Sequence, residues 1–206
     1  MTDVQPGPLA AELPGFQQLA VAYAPRAARG PWVALLALDR RLARAALQAS
    51  EPMLGQIRLV WWRDRLRTPA SAWPEGEPLL AALAGFDDDR AALEALVDAW
   101  ETLVGGQPDP NSLAALGDAR AGALSALARL LRCDVADAAL SALAQRWTLA
   151  ELAGSSGGER PVARLPRAMR PLAILAELAG NFDLPRSGTA GLRRLWRIIR
   201  LGTLGR

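Results

Sequence analysis

Asp39-Arg40-Arg41-Leu42-Ala43-Arg44 sets one carboxylate among three guanidiniums on a leucine-rich segment. Helical spacing brings residues three and four apart onto one side. Arg40, Arg41 and Arg44 could therefore grip an anion directly, through charge-assisted and bidentate bonds. The same positive charges repel a divalent cation. A hard-cation site would need carboxylates at i and i+4 on one face, and Asp39 stands alone here. Glu94, Asp98 and Glu101 do share a face, but Leu93, Leu96, Val97, Trp100 and Leu103 form the buried side of that segment, which makes the acids its solvated side. Asp87-Asp88-Asp89 reads as a helix start, with carboxylates capping free amides, rather than as a metal cluster. Asp134 and Asp137 read the same way.

Other chemistries are excluded outright. With no histidine there is no imidazole base or metal ligand, and with every basic residue an arginine there is no lysine for a Schiff base. Cys133 is the single cysteine, which rules out an internal disulfide and a cysteine zinc site; next to Leu130-Leu131 it reads as core filler. No residue set identifies itself as catalytic, and no cofactor or metal is expected.

Ser50-Glu51-Pro52-Met53-Leu54-Gly55-Gln56-Ile57-Arg58-Leu59-Val60-Trp61-Trp62-Arg63-Asp64 is the most distinctive stretch. Ser50 can cap a first turn and Pro52 tolerates the helix start. Leu54, Ile57 and Trp61 share one face, with Arg58, Trp62 and Arg65 on a neighbouring one. Gly55 inside a helix costs about 1 kcal/mol against alanine, so it predicts close approach by another element. Trp61 and Trp62 read as core or groove-lining residues. Arg58 and Arg63 are either ion-pair partners of Glu51 or Asp64, or contacts to a phosphate or a partner protein.

This segment resembles the SEPMLGEIRLQWWRD signature of the bacterial squalene/phytoene synthases. Weaker similarity extends to Tyr23-Ala24-Pro25-Arg26, to Leu35-Leu36-Ala37-Leu38, to residues 117–131 and to Leu165-Pro166-Arg167-Ala168-Met169-Arg170-Pro171. The resemblance implies an all-α, single-domain helical bundle of the isoprenoid (trans-prenyl) synthase type, here truncated. It also implies head-to-head joining of isoprenyl diphosphates, using Mg²⁺ held between two DxxxD motifs on facing helices. The first motif would fall near residues 38–48, where only Asp39 is acidic. The second would fall within residues 141–153, where only Glu151 is. Both motifs read as degenerate, so the expectation is a non-catalytic member that binds prenyl lipid or diphosphate through Arg40, Arg41, Arg44, Arg58 and Trp62, or assists assembly of a protein partner. A respiratory complex I assembly factor of this fold is the implied precedent. An active prenyltransferase using Mg²⁺ is the alternative.

The elements that must position these residues are helical, since Ala and Leu dominate and β-branched residues are few. Residues 1–12 read as a flexible tail and 13–153 as the helical body. Residues 154–160 read as a linker and 161–206 as basic C-terminal helices of the same domain. The spacing predicts helices over residues 15–23, 31–49, 51–67, 79–84, 87–104, 112–132, 135–153, 166–179 and 188–201. Residues 1–159 carry 14 arginines against 19 acids, whereas residues 160–206 carry 10 against two. In the last segment Leu192, Leu195, Trp196 and Ile199 line one face, with arginines opposite. That is either an interfacial membrane helix or a terminal helix docked with its arginines outward. No nucleic-acid module is recognisable. Residues 1–15 are polar and Pro-rich, and no run suits a membrane span. A cytoplasmic location is expected, peripheral on the inner membrane if the last helix binds there.

Overall fold

The computed structural model describes residues 7–154 and 164–179, and the regular structure among them is entirely helical. The helices are α1 (Pro8–Ala11), α2 (Gly15–Ala22), α3 (Arg26–Leu47), α4 (Pro52–Arg67), α5 (Pro78–Leu83), α6 (Arg90–Glu101), α7 (Pro110–Leu130), α8 (Asp137–Leu152) and α9 (Arg170–Leu178). Short 3₁₀ turns lie at Ala70–Ala72, Ala84–Asp89 and Arg167–Met169. The expected helix at 188–201, with Leu192, Leu195, Trp196 and Ile199, lies outside the described residues.

Helix α3 is the axis of the bundle. From Ala34 to Asp39 every residue is buried, as a helix surrounded on all sides requires. It touches α1, α2, α4, α5, α6 and α7. Helices α7 and α8 pair along their length, and α9 closes against α2 and α8. Trp32 donates its indole N–H to the Ala168 carbonyl at 2.7 Å, tying the start of α3 to the segment before α9.

Several boundaries differ from the expected ones for identifiable reasons. Helix α3 begins at Arg26, so Pro31 lies inside it rather than at its start. The proline removes one bond to the exposed Ala27, where water can replace it. Ser50 does not cap α4: Glu51, in extended conformation, precedes Pro52, and no side chain bonds the first turn. Helix α7 starts earlier than expected because Asp109 builds a capping box, accepting from the Asn111 and Ser112 amides at 2.8 and 3.2 Å while its own amide donates to the Ser112 hydroxyl. The 87–89 aspartates do not cap α6, which begins at Arg90. Asp87 accepts from the Ala70 amide at 2.7 Å and pairs with Arg90, while Asp89 pairs with Arg129 of α7 at 2.6 Å. They brace neighbouring segments. Cys133 is half-buried against the core, and burial pushes its thiol up from the ordinary range.

Gly55 does mark a close approach. A Cβ built there would stand 2.5 Å from the Ala45 carbonyl oxygen and 3.3 Å from the Ala49 methyl. Since the nearer atom is backbone, α3 and α4 would have to separate. Gly55→Ala should therefore destabilise by about 1–3 kcal/mol despite alanine's better helix propensity. Chemical denaturation checks this; a stabilised variant would contradict the close packing.

Candidate functional site

Two charged arrangements are built around α3, one inside the bundle and one at its surface. The inner one is centred on Arg120, a side chain that the sequence reading did not single out. Its guanidinium is fully buried and bonds Asp39 twice, through Nε at 3.2 Å and Nη2 at 2.8 Å. Nη2 also reaches Glu151 at 2.7 Å, and Nη1 donates to the Thr148 hydroxyl at 3.1 Å. The cation lies 4.0 Å from the Trp147 ring centroid and 5.4 Å from that of Trp100. Trp100 donates its indole N–H to Asp39 at 2.9 Å.

Local sequence explains how each member arrives. Asp39 follows Leu35-Leu36-Ala37-Leu38 on the buried side of α3. Arg120 continues the face of Leu113, Leu116 and Gly117 on α7, with Leu124 and Leu127 beyond it. A charge on an apolar face was the available signal. Thr148 and Glu151 project from α8 beside Trp147. Burial opposes the charge on Arg120, but Asp39 and Glu151 outweigh it and raise its pKa. Burial raises the pKa of Glu151, with Arg120 pulling it down and Asp39 adding to the rise.

The surface arrangement is a groove of about 460 Å³ between α3 and α4. Arg41, Arg44 and Ala45 line it from α3, Ile57, Arg58, Trp61 and Trp62 from α4, and Glu77 from the start of α5. Four of the five residues expected to hold a diphosphate, Arg41, Arg44, Arg58 and Trp62, thus meet in one place. Arg40 does not join them. Its Nε is buried without a hydrogen-bond partner among the described residues, and its charge acts on Glu151. Arg41 is already engaged, with Glu12 at 2.9 Å and Glu77 at 2.8 Å, and those two acids raise its pKa. Arg44 bonds the Glu12 carbonyl at 3.3 Å. Arg58 is exposed and has no ion pair among the described residues.

The signature helix carries apolar residues on two sides, and Trp61 and Trp62 both line the groove as expected. Gly55, Leu59, Trp62 and Leu66 form its buried face. Leu54, Ile57 and Trp61, read as one apolar face, are exposed. Trp61 meets Trp62 edge to face at 4.9 Å, and Arg65 lies 5.9 Å from the Trp61 ring. Arg63 pairs with neither Glu51 nor Asp64 but with Asp98, at 2.7 Å, and Glu101 of α6, and Arg67 reaches Glu94 at 2.6 Å. The acids at 94, 98 and 101 are therefore the receiving side of a clamp between α4 and α6, which explains why Arg63 is only 16% exposed.

The signature helix, the all-helical bundle and the facing segments at Asp39 and Glu151 point the same way as sequence comparison. A family model described as squalene/phytoene synthase matches residues 18–150. The chain belongs to the squalene/phytoene synthase family. Its helical bundle is of the isoprenoid synthase type. No curated protein and no solved structure matches it.

The family's Mg²⁺ ions can be tested against these residues. Asp39 and Glu151, the acids left in the two motif segments, do converge from α3 and α8. Both are bonded to the same nitrogen of Arg120, and Arg40 adds positive charge beside them. A divalent cation placed there would face a fixed, buried guanidinium and would have to displace its bonds. The residues do not fit the ions.

Proposed function

We propose that this squalene/phytoene synthase family member is non-catalytic and binds an amphiphilic anion, a prenyl diphosphate or related lipid, in the α3–α4 groove. The observation that carries this is Arg120 set between Asp39 and Glu151. Ionising an allylic diphosphate requires cations held by carboxylates against the leaving group. Here the two converging carboxylates both pair with an internal arginine, which leaves neither free to hold such a cation.

The groove supplies what binding alone needs. Ile57, Trp61, Trp62 and Ala45 offer apolar wall to a hydrocarbon chain, while Arg44 and Arg58 offer charge to its head. Arg41, neutralised by Glu12 and Glu77, holds the rim in place. Such a protein would deliver, sequester or sense its ligand, or present it during assembly of a partner.

Titration calorimetry with farnesyl diphosphate, with and without Mg²⁺, tests this reading. Binding should be equally tight in both conditions, because guanidiniums rather than metal hold the head group. Binding that appears only with Mg²⁺ would contradict it.

A further inference from the structure

Helix α4 is apolar on two opposite sides, and only one is used by the bundle. Met53, Ile57 and Val60 follow one another at helical spacing directly opposite Gly55, Leu59, Trp62 and Leu66. Leu54 and Trp61 widen the stripe on the groove side. Leu47, at the end of α3, extends it around the corner. All six are exposed, Met53 by 67% and Ile57 by 58%. Large apolar side chains gathered on one helix face mark an interaction surface rather than scattered surface residues.

The charges beside the stripe select what can cover it. Arg58 and Arg65 lie along its groove edge, with Arg44 across the groove, and exposed Asp64 ends the line of the stripe one turn beyond Val60. Arg58 and Arg65 have no ion pair among the described residues, Arg65 being drawn to the Trp61 ring, while Arg44 lies near enough to Glu12 for its charge to help lower that carboxyl's pKa. A second copy docked through the same face would bring the same three arginines against them. The C-terminal segment, with 10 arginines against two acids over residues 160–206, would be repelled in the same way. An apolar layer with negative charge at its surface satisfies both the stripe and its edge.

We propose that the outward face of α4 docks on an anionic lipid surface, with Met53, Ile57 and Val60 entering the apolar boundary and Arg44, Arg58 and Arg65 meeting the head groups. The sequence of residues 188–201 repeats this chemistry, with leucines, a tryptophan and arginines at helical spacing. The proposal goes beyond the groove reading; Ile57, Arg44 and Arg58 belong to both surfaces, and Met53 and Val60, which do not line the groove, let the two be tested apart.

The test is flotation of the full-length protein with phosphatidylcholine vesicles, alone or with a third of the lipid replaced by phosphatidylglycerol. The protein should float with the anionic vesicles and remain below with the neutral ones. Met53→Glu/Val60→Glu should cut that binding by about tenfold or more, with its melting temperature and farnesyl diphosphate binding unchanged. Unchanged flotation of this variant would put the contact on residues 180–206 and overturn the proposal. Absence of flotation in the wild type would also overturn it, as would a dimer in sedimentation that the two glutamates dissociate, which would assign the stripe to a second copy. A protein partner that binds the stripe while vesicles do not would likewise refute the lipid assignment.

Discussion

Arg120→Met should lower the free energy of unfolding by about 3–5 kcal/mol, because it strands Asp39 in the interior without its partner. For a chain of this size that corresponds to a fall in melting temperature of roughly 10 °C. The argument rests on burial: the Arg120 side chain is 1% exposed and the Asp39 side chain 3%. In water the same pair would contribute little. The loss comes from desolvation of the remaining carboxylate, with the Trp100 indole as its only other bond partner among the described residues. Neutralising the whole group should therefore recover most of the loss. The triple variant Asp39→Asn, Arg120→Met, Glu151→Gln should melt well above the single one, since a buried ion cluster replaced in full by neutral groups is often near neutral in stability. Thermal melts of the two variants decide it. Equal melting temperatures would show that Arg120 contributes through packing against Trp147 and Trp100 rather than through charge.

The second large effect concerns the groove. Arg44→Ala/Arg58→Ala should weaken farnesyl diphosphate binding by about 100-fold or more, taking about 1.5–3 kcal/mol for each charge-assisted contact removed. Stability should barely change, because Arg58 is exposed and Arg44 makes a single long bond to a backbone carbonyl. Arg40→Ala should leave binding intact, since that side chain belongs to the inner cluster. Calorimetry separates the two. If Arg40→Ala abolished binding while the double variant kept it, the ligand would sit inside the bundle and the groove assignment would fail.

How much of this could be seen in the amino-acid order depended on whether the signal was local. Gly55 announced a helix contact because only a tertiary neighbour explains a glycine in the middle of a helix. The family was legible from fifteen residues. The outward turn of Leu54, Ile57 and Trp61 was not. Helix α4 carries apolar residues on opposite sides, and periodicity alone cannot say which one meets the core; Gly55, on the same face as Leu59 and Trp62, was the clue. The partners of Arg63 lay 35 and 38 residues away on α6, beyond any local pairing rule. Arg120 was missed because its helix reads as an alanine-leucine repeat, in which a lone arginine passes for a solvated residue. Its position in the apolar register, between Leu116 and Leu124, was the physical signal.

The inner cluster has its own electrostatic logic. Charges converging from α3 and α8 need a counter-ion in a dry interior. A covalently attached guanidinium supplies one permanently, held by two tryptophan faces. The signature helix is clamped to α6 by Arg63 and Arg67 and leaves Met53, Ile57, Val60 and Trp61 exposed along its other side.

The most direct measurement is the rate of diphosphate release from farnesyl diphosphate by the purified full-length protein in the presence of Mg²⁺. With Arg120 lodged between the two remaining carboxylates, release should not exceed that of the solution without protein. Turnover at ordinary enzymatic rates, on the order of 1 s⁻¹ or faster, would contradict the account and mean that the chain assembles a metal site from other acids.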